Sequence, residues 1–168
     1  MTIAEKYYAM NAAINTFLAA AGETARVFKY GTVKDSARPY PYFQSDYKVY
    51  DAQPFGTDES GTYTDFYFYL NFFTAASNER KNDAALFNVF EKVREAIGNP
   101  NKLILQPIAS VTKVEQTPEF NFRGGLEVLQ RGLILTCRAV CSHVVADGVA
   151  EATIENAVQV AGGDLNYI

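Results

Sequence analysis

The chain has 168 residues, 48% of them hydrophobic and 20% charged, and a formal net charge of −4. These values predict one folded domain with a sizeable core and exclude a mainly disordered chain. A nucleic-acid groove is not expected, because phosphate binding needs clustered basic residues and the fifteen here are scattered. We find no membrane-length apolar run and no secretory leader, so residence in a cytosol is expected.

The first predicted element is an amphipathic helix over residues 3–21. Thr2 and Glu5 have the spacing of a capping box, which satisfies two backbone amides at a helix start. Apolar residues follow at helical spacing, and Gly22 stands where a left-handed residue commonly ends a helix. One stripe of this helix is therefore expected to face the core.

A long hairpin is predicted next. Residues 26–30 and 42–50 are strand candidates, and the two prolines within residues 37–44 (ARPYPYFQ) oppose a helix between them. Residues 51–61 (DAQPFGTDESG) contain three acidic residues, two glycines and a proline, a composition typical of an exposed loop. We expect 51–61 to form the loop that joins two hairpin strands.

The second hairpin strand, residues 62–74 (TYTDFYFYLNFFT), contains seven aromatic residues among thirteen. Alternation along a strand places Phe66, Phe68, Leu70 and Phe72 on one face and Tyr67, Tyr69, Asn71 and Phe73 on the other. The first set suits a core. The second set is too aromatic for an ordinary solvated surface and too polar for a dry core.

The remaining chain is predicted to contain one helix and several strands. The helix covers about 78–97, and strands are expected at 103–108, at 111–117 and at 126–145. Residues 118–125 (PEFNFRGG) are interpreted as a turn-rich link, and Gly132 as a bulge or bend within the last strand.

The order of these elements predicts an α+β fold. Its antiparallel or mixed β-sheet would be flanked by two main helices, over about 3–21 and 78–97. Residues 1–145 are expected to form a single domain, and 146–168 a C-terminal extension that forms a short helix or a docking arm.

Side chains with catalytic or metal-binding chemistry are few. Cys137 and Cys141 would lie on one strand face about 13 Å apart, too far to bond each other, so buried reduced thiols are expected. Cys141 and His143 share a strand face, but a Cys–His enzyme or a zinc site needs closer or additional ligands. Asp58 and Glu59 could act as paired carboxylates, although solvated loop acids are the simpler interpretation. The sequence therefore predicts no catalytic, metal or cofactor site.

Tyrosine-rich strands can also stack nucleic-acid bases or contact protein. Base stacking normally accompanies a basic groove, whereas acidic residues flank this strand. Fifteen of the 23 aromatic residues lie between Phe28 and Phe73, and tyrosine is enriched at protein–protein interfaces. Two interpretations stay open: the second face is a subunit interface, or the two helices cover the two faces of the sheet.

The segment order resembles one protein family. A capped helix and a short strand precede PYPYF at residues 39–43, a long hairpin, and the helix NERKNDAALFNVFEKVREAIG at 78–98. Over residues 3–140 this is similar to the tail terminator (tail-completion) proteins of long-tailed bacteriophages. That family has a PYPYV-like segment before a strand, and a strand ending as at Phe73-Thr74 before a helix with small and then apolar residues, as in Ala84-Ala85-Leu86. The stretch 146–168 is longer than the family pattern.

The resemblance implies a non-enzymatic virion subunit, made in the bacterial cytoplasm, that forms a hexameric ring. Such a ring caps the tail tube, ends its polymerisation and offers the surface for head–tail joining. The implied partners are further copies of the chain, the tail tube protein, a neck or head-completion protein and, in a contractile tail, the sheath or its terminator. DNA would only pass through the channel, and no membrane is involved. The interface candidates are Tyr67, Tyr69, Asn71, Phe73, Asp51, Phe55, Asp58 and Glu59.

Two rival functions are compatible with the sequence. One is another ring protein of the phage neck or tail, such as a head-completion or tail tube protein. The other is a small ligand-binding or enzymatic α+β domain with a tyrosine-lined pocket, which predicts a monomer or dimer with a deep concave site.

Overall fold

The computed structural model describes residues 1–33, 38–55, 61–76, 79–124 and 126–142. The helical elements are α1 (Ile3–Ala20) and α2, which consists of α-helical Glu79–Ala85, a π-helical turn Leu86–Phe90 and α-helical Glu91–Gly98. The strands are β1 (Val27–Lys29), β2 (Tyr42–Phe55), β3 (Gly61–Ala76), β4 (Ser110–Gln116), β5 (Phe120–Gly124) and β6 (Leu126–Ser142).

The described strands form one mixed sheet in the order β1-β2-β3-β6-β4, with β5 also paired to β6. β1 and β2 are parallel, and the other neighbours are antiparallel. The two long strands β3 and β6 pair over their whole common length, from Gly61 opposite Ser142 to Ala76 opposite Glu127. The predicted α+β class is confirmed.

α1 begins and packs as its sequence predicts. The Thr2 hydroxyl accepts the Glu5 N–H at 3.2 Å, and the Glu5 carboxylate accepts the Thr2 N–H at 2.9 Å, which completes the capping box. Tyr7 attaches the helix to the sheet: its ring lies 5.9 Å from that of Phe68, and its hydroxyl donates to the Ser45 carbonyl at 2.9 Å. Burial raises the pKa of this tyrosine.

α2 packs on the same face of the sheet as α1. The Phe90 ring lies 5.9 Å from Phe72, and Phe72 shares its strand face with Phe68, which α1 contacts. The interpretation in which the two helices cover opposite faces is therefore wrong. An amphipathic stripe shows only that a helix buries one side, and here the large apolar face of β3 accepts both stripes.

The hairpin strands are longer than predicted. Residues 51–55 continue β2 and pair with β3, from Asp51 opposite Asp65 to Phe55 opposite Gly61. The expected loop 51–61 was too long, because ladder pairing with a neighbouring strand outweighs a locally loop-like composition. Asp58 and Glu59 lie outside the described residues.

Two further assignments are corrected. Residues 103–108 form successive turns rather than a strand, with the Gln106 N–H bonded to the Leu103 carbonyl at 3.0 Å. Their apolar character reflects burial, since Leu105 joins the core at 1% exposure. The supposed link 118–125 contains β5, which forms a hairpin with β6.

Gly132 marks a close approach rather than a bulge. It pairs with Asn71 in an unbroken ladder between β3 and β6. A Cβ at this position would overlap the Asn71 side-chain oxygen and lie 3.0 Å from the Thr117 hydroxyl oxygen. The glycine therefore leaves the space that the Asn71 side chain occupies.

Candidate functional site

The sheet surface opposite the two helices is the candidate site, and we call it the tyrosine face. On β3 it consists of Tyr63, Asp65, Tyr67, Tyr69, Asn71 and Phe73. Their neighbours along the strand, Phe66, Phe68 and Leu70, are fully buried in the core at 0% exposure. Tyr67, Tyr69 and Asn71 stay partly exposed. The predicted division of this strand into a core face and a second face is confirmed.

The centre of the tyrosine face lies around Tyr69 and Asn71. Tyr69 is opposite Asp46 of β2 and Ile134 of β6, and Asn71 fills the space above Gly132. Partial burial raises the pKa of Tyr69, so its hydroxyl remains a neutral donor at physiological pH. The centre thus offers amphipathic rings and a carboxamide.

At one end of the tyrosine face, Phe73 is held by its own chain. Its ring stacks on Tyr42 with centroids 5.1 Å apart and planes 16° apart, and Tyr42 is only 1% exposed. Beside it lies an open hollow of about 410 Å³ lined by Arg38, Phe73, Val128 and Gln130. Phe73 is therefore the border of the face rather than its centre.

At the other end, an ion pair is set among tyrosine rings. Arg138 donates from Nε and Nη2 to the two carboxylate oxygens of Asp65 at 2.7 and 2.9 Å, and its guanidinium lies 5.5 Å above the Tyr63 ring. These hydrogen bonds hold the pKa of the Asp65 carboxyl below its usual value. Tyr67 stacks on Tyr50 with centroids 4.6 Å apart. The rings and the charges here are thus fixed in position.

The structure brings together only part of the predicted interface set. Tyr67, Tyr69 and Asn71 lie side by side, and exposed Asp51 lies on the adjacent strand opposite Asp65. Phe55 lies in β2 near the hairpin end, and Asp58 and Glu59 fall outside the described residues.

Sequence reasoning missed Tyr50, Asp65 and Arg138. The two charged residues are 73 positions apart, so no local spacing pattern could join them. A usable signal was Asp65, the one charged residue of β3, because a charge buried in a sheet normally has a partner.

The thiols belong to the core rather than to a site. Cys137 and Cys141 are free and buried, as expected, and burial raises the pKa of Cys137 to about 12, which keeps it an unreactive thiol. His143 and residues 146–168 lie outside the described part. Within that part, no cluster of three or more potential metal ligands is present, and no helix is long and apolar enough to span a membrane.

The described geometry suits contact with protein better than covalent chemistry. Partly exposed rings are held in place by stacking, and hydrogen-bonding groups lie between them. Such surfaces gain contact area at a low entropic cost, because few side-chain rotations remain to be lost. No protein-family model matches the chain, and no curated protein is significantly similar to it.

Proposed function

We propose that this chain is a non-enzymatic structural subunit of a bacteriophage tail, a tail terminator that closes into a hexameric ring on the end of the tail tube. The observation that carries the proposal is the tyrosine face, an aromatic sheet surface opposite both described helices. The resemblance of residues 3–140 to tail terminators supplies the identity of the assembly. The site of action would be the tail and neck of the virion.

The tyrosine face has the properties of a surface that becomes covered. The Tyr67 ring is supported by Tyr50 on one side and by Tyr69, with centroids 6.2 Å apart, on the other. Rings held in this way lose little freedom when a partner binds. Tyrosine is also among the residues that carry a large share of interface energy.

A ring needs two different contact surfaces on every subunit, because its contacts are head-to-tail. We assign the tyrosine face to one of these surfaces or to its border. The ring would then present one side to the tail tube protein and the other to a neck or head-completion protein, with the sheath or its terminator as a further partner in a contractile tail. Negatively charged side chains lining the channel would discourage DNA from adhering as it passes.

The test is the assembly state of the purified chain. Mass measurement and negatively stained images should show rings of six subunits. The rings should form either in the chain alone or after purified tube subunits are added. Rings that also elongate into tubes would identify a tube protein instead. A chain that stays monomeric or dimeric with tube subunits present, and binds a small molecule in a saturable manner, would contradict the proposal and support the ligand-binding rival.

A further inference from the structure

Several strand edges of the sheet have no partner strand within the described residues, and two of them, on β2 and β4, consist mostly of exposed residues. On β2, pairing with β1 ends at Ser45, whose carbonyl accepts the Tyr30 N–H at 2.9 Å. From Asp46 onward the outer edge of β2 has no described neighbour, and its residues are mostly exposed. β4 forms the opposite edge of the sheet, and almost all its residues are exposed. Free edges present unpaired N–H and C=O groups to another chain.

We propose that the β4 edge of one copy pairs with the free β2 edge of the next, so that the sheet continues from subunit to subunit. This inference rests on the proposed ring and specifies its junction. β2 and β6 run in one direction, and β3 and β4 run in the other. Rotation about an axis parallel to the strands preserves these directions, so β4 would meet the next β2 in antiparallel orientation.

The unshifted register of this junction is unfavourable. Lys113 and Lys48 lie at the same level of the sheet. Lys113 is opposite Thr136, which is opposite Tyr67, and Tyr67 is opposite Lys48. Joining copies without a shift would place Lys113 opposite Lys48 and Glu115 opposite Asp46, and like charges directly opposite each other are destabilising. It would also bring Gln116 against the edge already used by β1.

A shift of two residues toward the hairpin end removes both problems. Lys113 then faces Asp51 and Glu115 faces Lys48, which are two opposite-charge pairs on the tyrosine face. Between them, Val114 faces Val49, and both valines are notably exposed, at 37% and 39%. The shift also moves β4 away from β1. A closed sheet needs a stagger between its strands, so such a shift is compatible with a ring.

The junction would run along the border of the tyrosine face. Tyr50 and Tyr67 stack beside Lys48 and Asp51, so the long side chains of a neighbour's β4 could extend over these rings. Charges and bulges on edge strands can also keep monomers apart, and both β2 and β4 contain a register shift. Cross-linking and charge exchange distinguish edges that pair with another copy from edges that prevent such pairing.

A designed cross-link tests the register. Directly opposed residues of paired strands have Cβ atoms about 4.5–5.5 Å apart, close to the separation in a disulfide. Protein carrying Val49→Cys and Val114→Cys should form covalent oligomers on mild oxidation, whereas Lys48→Cys with Lys113→Cys, opposed only in the unshifted register, should form few. The native cysteines are buried and should not interfere.

Proteins that each carry one added cysteine test the head-to-tail arrangement. A mixture of Val49→Cys and Val114→Cys proteins should yield covalent dimers, while each protein alone should remain uncoupled. Dimers of Val49→Cys alone would show symmetric β2–β2 pairing and overturn the inference. Absence of cross-linking in the double-cysteine protein would overturn it as well.

Charge exchange provides a readout that does not depend on oxidation. Asp51→Lys and Lys113→Asp should each raise the concentration needed for half-assembly about tenfold, and the two changes together should restore it. Asp83→Lys, at an exposed position on α2, is the matched control. Rings that form normally in all edge variants would overturn this junction but would remain consistent with the proposed ring. A chain that forms no ring even with tube subunits would contradict the proposed function also.

Discussion

The two faces of β3 are similarly aromatic, yet they have opposite surroundings. Phe66 and Phe68 are fully buried against the helices, whereas Tyr67 and Tyr69, one position along, lie partly exposed on the helix-free side. The difference between the sets is the phenolic hydroxyl, which needs water or a hydrogen-bond partner when its ring is covered. The first face stabilises the subunit, and the second is the face that we propose for contact between subunits.

The largest expected effect comes from truncating the core face. Phe68→Ala should lower the free energy of unfolding by about 3–5 kcal/mol, because it leaves a cavity between α1 and the sheet. A domain of ordinary stability would then be largely unfolded. Chemical denaturation followed by circular dichroism measures the change. A loss below about 1 kcal/mol would mean that the faces are not divided as described.

A smaller effect is expected at Gly132, where the Asn71 side chain lies close to the backbone of β6. Gly132→Ala should cost about 1–3 kcal/mol, because the added methyl group overlaps the Asn71 side chain. The cost should fall when Asn71 is also changed to alanine. Gly98→Ala is the control, since its added methyl group meets nothing within 4 Å. Equal costs at the two glycines would argue against this close approach.

The ion pair of the tyrosine face should contribute less. Asp65→Asn is expected to cost about 1 kcal/mol at neutral pH, since one partner of the pair is half-exposed. Because the folded-state pKa of Asp65 is lowered, its stabilisation is complete above the unfolded value of about 4 and is lost as pH falls through the folded value. The stability difference between wild type and Asp65→Asn should therefore shrink below about pH 4. A difference that stays constant with pH would contradict this assignment, and exposed Asp83→Asn is the control.

Local patterns predicted much of the fold. The capping box at Thr2 and Glu5 identified the start of α1, and the alternation of β3 identified the core residues, because both depend on neighbours in sequence. Residues 103–108 were misassigned because burial, rather than a strand, accounts for their apolar side chains. A short apolar run does not distinguish these two causes.

Features that depend on distant residues could not be predicted in this way. The sequence left open which face each helix would cover, since a helical stripe does not specify what it packs against. For the candidate site, Tyr67, Tyr69 and Asn71 followed from alternation alone. The Asp65–Arg138 pair and the stacking of Tyr50 required the sheet register.

The smallest expected effect on stability belongs to Tyr69, whose substitution tests the proposed interface most directly. Tyr69→Ala should change the free energy of unfolding by about 1 kcal/mol or less, because its ring lies outside the core. The same change should weaken ring formation strongly, as interface tyrosines often do. The decisive measurement is the particle mass of wild type and Tyr69→Ala at equal concentration, with tube subunits present. Wild type should form a hexameric ring, and the variant should be a folded, mostly unassembled subunit. Full-sized rings of Tyr69→Ala, or an unfolded variant, would contradict the proposed interface.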